Sequence, residues 1–260
     1  MDNKTISRDG TPIAYEVVGH GPAVILVSGA MSTGASTVPV ASLLANRFTV
    51  VAYDRRGRGA SGDTAPYAVA REVEDLAALV EAVGGEASLW GMSSGGALVL
   101  EAAASGLPVR QVAVYEAPFA DFRGGSGEER AAYTRQLNQV LAEGRPGDAV
   151  ALFLALTGMP EEAIAGMRRS PGWPGMEAVA PSLAHDDAVL GDGLVPRERV
   201  AAIGVPVLAV AGGASEAWIK DATRVVAETA PRGTYRTLDG QTHRVDPEVL
   251  APVLAEFFGG

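Results

Sequence analysis

Ser93 stands at the centre of Gly91-Met92-Ser93-Ser94-Gly95, after the apolar run Ala87-Ser88-Leu89-Trp90 and before Gly96-Ala97-Leu98-Val99-Leu100. A serine hydroxyl is a poor nucleophile at neutral pH. It becomes an effective one when held exposed, beside a general base and near donors that stabilise an oxyanion. A G-x-S-x-G turn from strand to helix supplies the exposure, because its glycines have no Cβ to obstruct a tight crossing. Ser93 would then head a helix whose free N–H groups favour developing negative charge. Histidine is the side chain whose ordinary pKa suits the base at neutral pH, and the chain has three. His20, in Gly19-His20-Gly21-Pro22, reads as a solvated turn residue. His185, in Leu183-Ala184-His185-Asp186-Asp187, falls in a helical region, too mobile a platform for a base but able to face a substrate. His243, in Gly240-Gln241-Thr242-His243-Arg244, follows the last expected strand. It is the expected base, since open α/β sheets build their sites at that carboxyl edge.

The elements that must hold these residues alternate. Thr5-Ile6-Ser7 and Ile13–Val18 flank a turn signal, Arg8-Asp9-Gly10-Thr11-Pro12, and read as a hairpin. Four further runs lack strand alternation: Ala23–Val27, Phe48–Tyr53, Val109–Tyr115 and Val205–Val210. Such runs suit a parallel sheet buried on both faces. Helical patterns lie between them, as in Tyr67–Val83, where Val73, Leu76, Ala77, Val80 and Val83 form one stripe. The fold class expected is α/β, a mostly parallel sheet with helices on both faces. Between about Pro118 and Arg199 the buried-strand pattern disappears, and Glu128–Glu143, Asp148–Thr157 and Pro160–Arg169 read as helices. The domains expected are therefore a core of residues 1–117 and 200–260 and an inserted helical lid of 118–199. The chain closes with a helix at Ser215–Thr229, a strand at Thr234–Leu238 and a helix capped by Asp246-Pro247-Glu248. Pro252 interrupts that last helical pattern.

Composition narrows the function classes. In 260 residues, 47% are hydrophobic and 20% charged, which describes a globular protein able to bury a sizeable core. The formal net charge of −10 argues against a nucleic-acid partner. Only Lys4 and Lys220 among the 21 basic residues are lysine. The absence of cysteine excludes disulfides, thiolate zinc sites and a cysteine nucleophile. No apolar run approaches a membrane span and the amino end has no signal-like apolar segment. A cytoplasmic protein with a small-molecule substrate is expected, with a homodimer left open.

Taken together, the turn at Ser93, the late His243, the Ser28-Gly29-Ala30 loop and Asp54-Arg55-Arg56-Gly57-Arg58-Gly59-Ala60-Ser61 resemble the α/β-hydrolase superfamily over essentially the whole length. The last segment is similar to the superfamily's D-x-R-G-x-G-x-S turn, in which Asp54 and Arg56 would fix a tight turn. Ser28 stands where members usually have histidine. The resemblance implies an oxyanion hole from the backbone N–H groups of Ala30 and Ser94, with no metal or organic cofactor. It implies an acid in a G-x-x-D segment, but the chain has Gly212-Gly213-Ala214-Ser215 there. Some relatives, certain haloalkane dehalogenases among them, carry the acid one strand earlier, where Tyr115-Glu116-Ala117-Pro118-Phe119 is found. A carboxylate at the end of a buried strand also needs a partner, since burying it alone is costly. Glu116 is the acid expected, with Glu216, Asp239 and an acid-free dyad left open. The reading is a serine hydrolase acting on an ester, lactone or thioester of a small to medium hydrophobic compound. Perhydrolysis, carbon–carbon hydrolysis, lyase chemistry and a non-catalytic receptor are alternatives. Phe119, Phe122, Leu152, Phe153, Met159, Met167, Trp173 and Met176 supply apolar surface to the lid, and Met31 and Met92 could wall a pocket.

Overall fold

A computed structural model describes residues 3–119 and 127–260. Phe122 and the amino-terminal Met1-Asp2 lie outside the described residues. The elements in chain order are β1 (Asn3–Ile6), β2 (Pro12–Gly19), β3 (Ala23–Val27), α1 (Val38–Leu44), β4 (Thr49–Tyr53), α2 (Val69–Ala82), β5 (Ala87–Met92), α3 (Ser94–Ala104) and β6 (Val109–Tyr115). There follow α4 (Gly127–Ala142), α5 (Pro146–Leu156), α6 (Glu161–Met167), α7 (Trp173–Val179), α8 (Leu183–Leu190) and α9 (Arg197–Ala201). The chain then returns to the sheet with β7 (Val207–Gly212), α10 (Ala217–Thr229), β8 (Gly233–Leu238) and α11 (Pro247–Phe258).

Eight strands form one sheet in the order β1-β2-β4-β3-β5-β6-β7-β8. The β1–β2 and β2–β4 pairs are antiparallel, and every later pair is parallel. All five residues of β3 are buried, as a strand covered on both faces must be. Its side chains divide by the period of two: Ile25 and Val27 belong to the apolar cluster that also takes in α2, α3 and α10, whereas Val24 and Leu26 belong to the one that takes in α1 and α11. Between β6 and β7 the described residues form helices and no strand. They enclose a third apolar cluster that includes Leu137, Val150, Leu154, Trp173 and Leu183. Ala30 and Met31, just past β3, pack against this cluster.

Asp246 caps α11 as expected, its side chain accepting from Glu248 N–H. The helix runs through Pro252 without a break. Pro252 is exposed, so the Glu248 carbonyl that it cannot serve faces solvent rather than the core. No helix among the described residues is long and apolar enough to cross a membrane.

Candidate active site

Ser93 occupies the turn between β5 and α3 with φ 56° and ψ −128°. Only close glycine packing allows this crossing. A Cβ at Gly91 would lie 2.2 Å from Gly95 O, and one at Gly95 would lie 2.4 Å from Val27 O. Positive φ is strained for a residue with a Cβ. Among the described residues, three such non-glycine positions occur: Met31, Ser93 and Glu116. All three follow the carboxyl ends of β3, β5 and β6, which are neighbours in the sheet. The strain of this backbone is thus gathered at one edge.

The Ser93 carbonyl accepts from Gly96 N–H at 2.8 Å and Ala97 N–H at 3.3 Å, inside the first turn of α3. In a trans peptide the N–H points opposite to the carbonyl, so Ser94 N–H leaves the helix end outward. The loop after β3 runs against the same turn, since a Cβ at Gly29 would lie 2.9 Å from Ser93 Cβ. Ala30 follows directly. The two expected donors and the serine therefore share one corner.

Glu116 is fully buried at the end of β6. Its Oε1 accepts from Gly212 N–H at 2.8 Å, and His243 Nδ1 donates to its Oε2 at 2.8 Å. The carboxylate thus ties the ends of β6 and β7 to the loop after β8. That loop is held at other points too. Gly213 N–H donates to Leu238 O at 2.7 Å, Ala214 N–H to Gln241 O at 2.9 Å, and Tyr115 Oη to Thr242 O at 2.6 Å. Burial, with Glu116 adjacent, holds the Tyr115 phenol above its ordinary pKa, which keeps it a donor. With Nδ1 engaged, Nε2 is the ring nitrogen left for chemistry, and the His243 side chain is 48% exposed. The side-chain hydrogen bond of His243 among the described residues is the one to Glu116.

The other carboxylates stand apart. Glu216 is exposed and accepts from Trp218 Nε1 at the start of α10. Asp239 is exposed beyond β8. Ser215 Oγ, at the position left without an acid, is buried and unpartnered. His20 is exposed. His185 departs from expectation. It is buried, with its ring stacked on Tyr67 at a centroid distance of 3.8 Å. Burial lowers its pKa, although Asp63 at 3.6 Å pulls the other way. The reason lies on the same helix, where Asp186 is drawn into an ionic cluster with Arg55 and Arg58. Asp54 and Arg56 do fix the turn: Asp54 accepts from Gly34 and Ala60 N–H, and Arg56 pairs with Asp75 and Asp9. Met31 faces the helical cluster, whereas Met92 packs on the α11 side. A cavity of about 340 Å³ lined by Ser88, Arg110 and Arg232, among others, adjoins none of the three reacting candidates.

Residues 24–253 match the model of a family described as "Alpha/beta hydrolase family". The chain is 30% identical over 239 residues to a pimeloyl-[acyl-carrier protein] methyl ester esterase of Xanthomonas campestris pv. campestris, covering 88% of this chain and 90% of that one. It is 34% identical over 105 residues to an uncharacterized hydrolase of Bacillus subtilis, where the match spans 39% of each. A solved α/β hydrolase from Sphaerobacter thermophilus superposes with a TM-score of 0.90 at 52% identity, covering 98% of this chain and all of the other.

Proposed function

Because this chain belongs to the alpha/beta hydrolase family and is an enzyme of that kind, we propose that it hydrolyses an ester, lactone or thioester of a small to medium hydrophobic compound through an acyl-enzyme on Ser93. The observation that carries the reading is the 2.8 Å contact between His243 Nδ1 and the buried Glu116, on the sheet edge where the strained Ser93 stands. His243 Nε2 takes the Ser93 proton as Oγ attacks the carbonyl carbon. Glu116 holds the ring in the tautomer this requires and stabilises the imidazolium. The N–H groups of Ala30 and Ser94 receive the oxyanion, which collapses as the leaving group takes the proton back from His243. Water, activated by the same histidine, then releases the acid and restores Ser93.

Residues 118–199 act in this reading as a lid over the site. Ala30 and Met31 meet its apolar cluster, whose partly buried fringe includes Tyr133, Phe153, Met159, Met167 and Met176. An adaptable, methionine-rich wall suits an acyl chain or apolar ring better than a charged group. The test is Ser93→Ala assayed against p-nitrophenyl esters and lactones of graded length. Loss of about 10⁴- to 10⁶-fold in kcat, with the fold kept by circular dichroism, is expected. Retention of a substantial share of wild-type turnover would place the chemistry elsewhere. Labelling of wild type but not Ser93→Ala by a fluorophosphonate separates an enzyme from a receptor.

A further inference from the structure

Four charged side chains lie buried beneath the Ser93 corner: Arg55, Arg58, Glu72 and Asp186. Glu72 takes the Nε and Nη2 of Arg55 at 2.7 Å each. Asp186, from α8, takes Arg55 Nη1 at 2.7 Å through Oδ1 and Arg58 Nη2 at 2.7 Å through both oxygens. Ser94 Oγ donates to Asp186 Oδ1, also at 2.7 Å. Arg58 Nη1 reaches onward to Gly29 O at 2.6 Å and Ser32 O at 3.1 Å. Arg55 Nη1 reaches Ser28 O and Ser94 Oγ, each at 3.3 Å.

Two of these contacts bear on the donors of the oxyanion hole. Gly29 C=O and Ala30 N–H belong to one planar trans peptide and point in opposite directions. Arg58, gripping the carbonyl from inside, aims the Ala30 N–H outward. Ser94 Oγ pins the residue whose own N–H is the second donor. Asp186 is the group common to both. We propose that Asp186 is a positioning residue of the oxyanion hole, fixing Ala30 N–H through Arg58 and Ser94 N–H through its hydroxyl. This rests on the serine-hydrolase reading above.

Stability alone is a weak account of such a cluster, because buried ion pairs often add little over apolar residues of the same size. Burial raises the Asp186 pKa, but Arg58 and Arg55 outweigh it and hold the carboxyl below its usual range. Glu72 is held low in the same way by Arg55. The two cations and two anions therefore cancel. The balance gives the proposal an opposite-signed rival: a purely through-space effect would make loss of the Asp186 charge help an oxyanion, whereas loss of positioning hinders it.

The experiment measures p-nitrophenyl butyrate kinetics, phenylboronic acid inhibition and fluorophosphonate labelling rates for wild type, Asp186→Asn, Ser94→Ala and the double variant. Asp186→Asn is expected to lower kcat by about 10- to 100-fold, with KM changed by less than about 3-fold. The boronate, a mimic of the tetrahedral oxyanion, should weaken by a factor similar to the kcat loss. Ser94→Ala keeps all four charges and the backbone donor, so it tests the hydroxyl in a variant built to fold. Its loss is expected to be about 3- to 10-fold and to add little in the Asp186→Asn background, since the two groups share one contact. Unchanged or raised kcat in both single variants, or a loss in KM alone with boronate affinity intact, overturns the proposal. Should Asp186→Asn not fold, Ser94→Ala decides by the same criteria. If wild type neither turns over ester nor labels, the hydrolase reading falls and the proposal with it. If wild type labels and the variants label equally fast, the proposal alone falls.

Discussion

Ser93 and Glu116 share an uncommon property, a side chain on a backbone that favours glycine, and both are proposed to act on the same histidine. For Glu116 the positive φ of 46° turns the chain after β6 so that the carboxylate meets Gly212 N–H on one oxygen and His243 on the other. Glu116→Gln keeps the shape but removes the negative charge facing the imidazolium, and kcat is expected to fall by up to about 10⁴-fold. Glu216→Gln and Asp239→Asn, made in parallel, should stay within about 2-fold of wild type, because exposed groups away from the reacting atoms contribute little. A Glu216→Gln variant as damaged as Glu116→Gln would move the acid to the α10 start. Ser93 and His243 were legible because each sits in a local pattern, a glycine-flanked turn and a loop after the last strand. Glu116 was legible only as an oddity, a carboxylate ending an apolar strand. Asp186 was not legible. Its partners Arg55, Arg58 and Ser94 lie far away in sequence, and no spacing rule connects them.

The elements that carry the site pack by direct backbone contact. The β5–α3 crossing leaves no room at Gly95, where an added Cβ would meet Val27 O at 2.4 Å and Ser28 O at 2.6 Å. Those atoms are main chain of β3 and its loop and cannot rotate aside. Gly95→Ala is expected to cost about 1–3 kcal/mol of stability and to abolish most turnover, since α3 must shift and carry Ser94 with it. Denaturant unfolding and ester kinetics on the same sample check both halves, and an active variant of wild-type stability would refute the packing argument. The strands were the most legible elements, because an unbroken apolar run has few alternatives. β3 spans the very residues its run suggested, and β7 is displaced by two because Val205 and Pro206 precede the ladder. Helices α4, α5 and α6 fell within a few residues of their periodic stretches. Helices α7 and α8 did not stand out, for a physical reason. Pro171, Pro174 and Pro181 break the period, and the buried positions of α8 include His185, Asp186 and Asp187. A helix whose inner face is ionic is invisible to a hydrophobic pattern.

Across the whole molecule, charge does more inside than the composition suggested. Nineteen of the 21 basic residues are arginine, and Arg55, Arg56 and Arg58 stand among the largest fully buried side chains of the described residues. A planar guanidinium can satisfy several acceptors at once, which suits it to such an interior better than lysine. The pairs of Arg55 and Arg58 with Asp186 bind the helical segment to the loop after β4, and that attachment is expected to be sensitive to acid. His185, facing Asp63, Glu72, Asp186 and Arg55, is held below its ordinary value of 6.5 by burial. The unfolded chain therefore takes up this proton first as pH falls, and the stability present above about 6.5 is lost as pH drops through the folded value. Asp186 and Glu72, also lowered, add a second loss below the usual carboxylate range near 4. Thermal unfolding from pH 8 to 5 should show Tm falling in wild type and a shallower fall in His185→Gln. Equal slopes would mean that His185 plays no part.

Sheet order has one more consequence, in the timing of synthesis. β6 pairs with β5 on one side and with β7 on the other, yet the whole helical segment is made between β6 and β7. Until Val207–Val210 leave the ribosome, the far edge of Val112–Tyr115 is bare, an apolar strand with open hydrogen-bonding groups and a standing invitation to a neighbouring chain. Closing that pair spans a long loop, which slows folding and lengthens the exposure. Gly212 and His243, the partners of Glu116, arrive later still. On the proposed mechanism, a nascent chain carries its nucleophile and acid for nearly half of its synthesis without the base, and is expected to acquire activity only as the final strand and the loop beyond it lock into place.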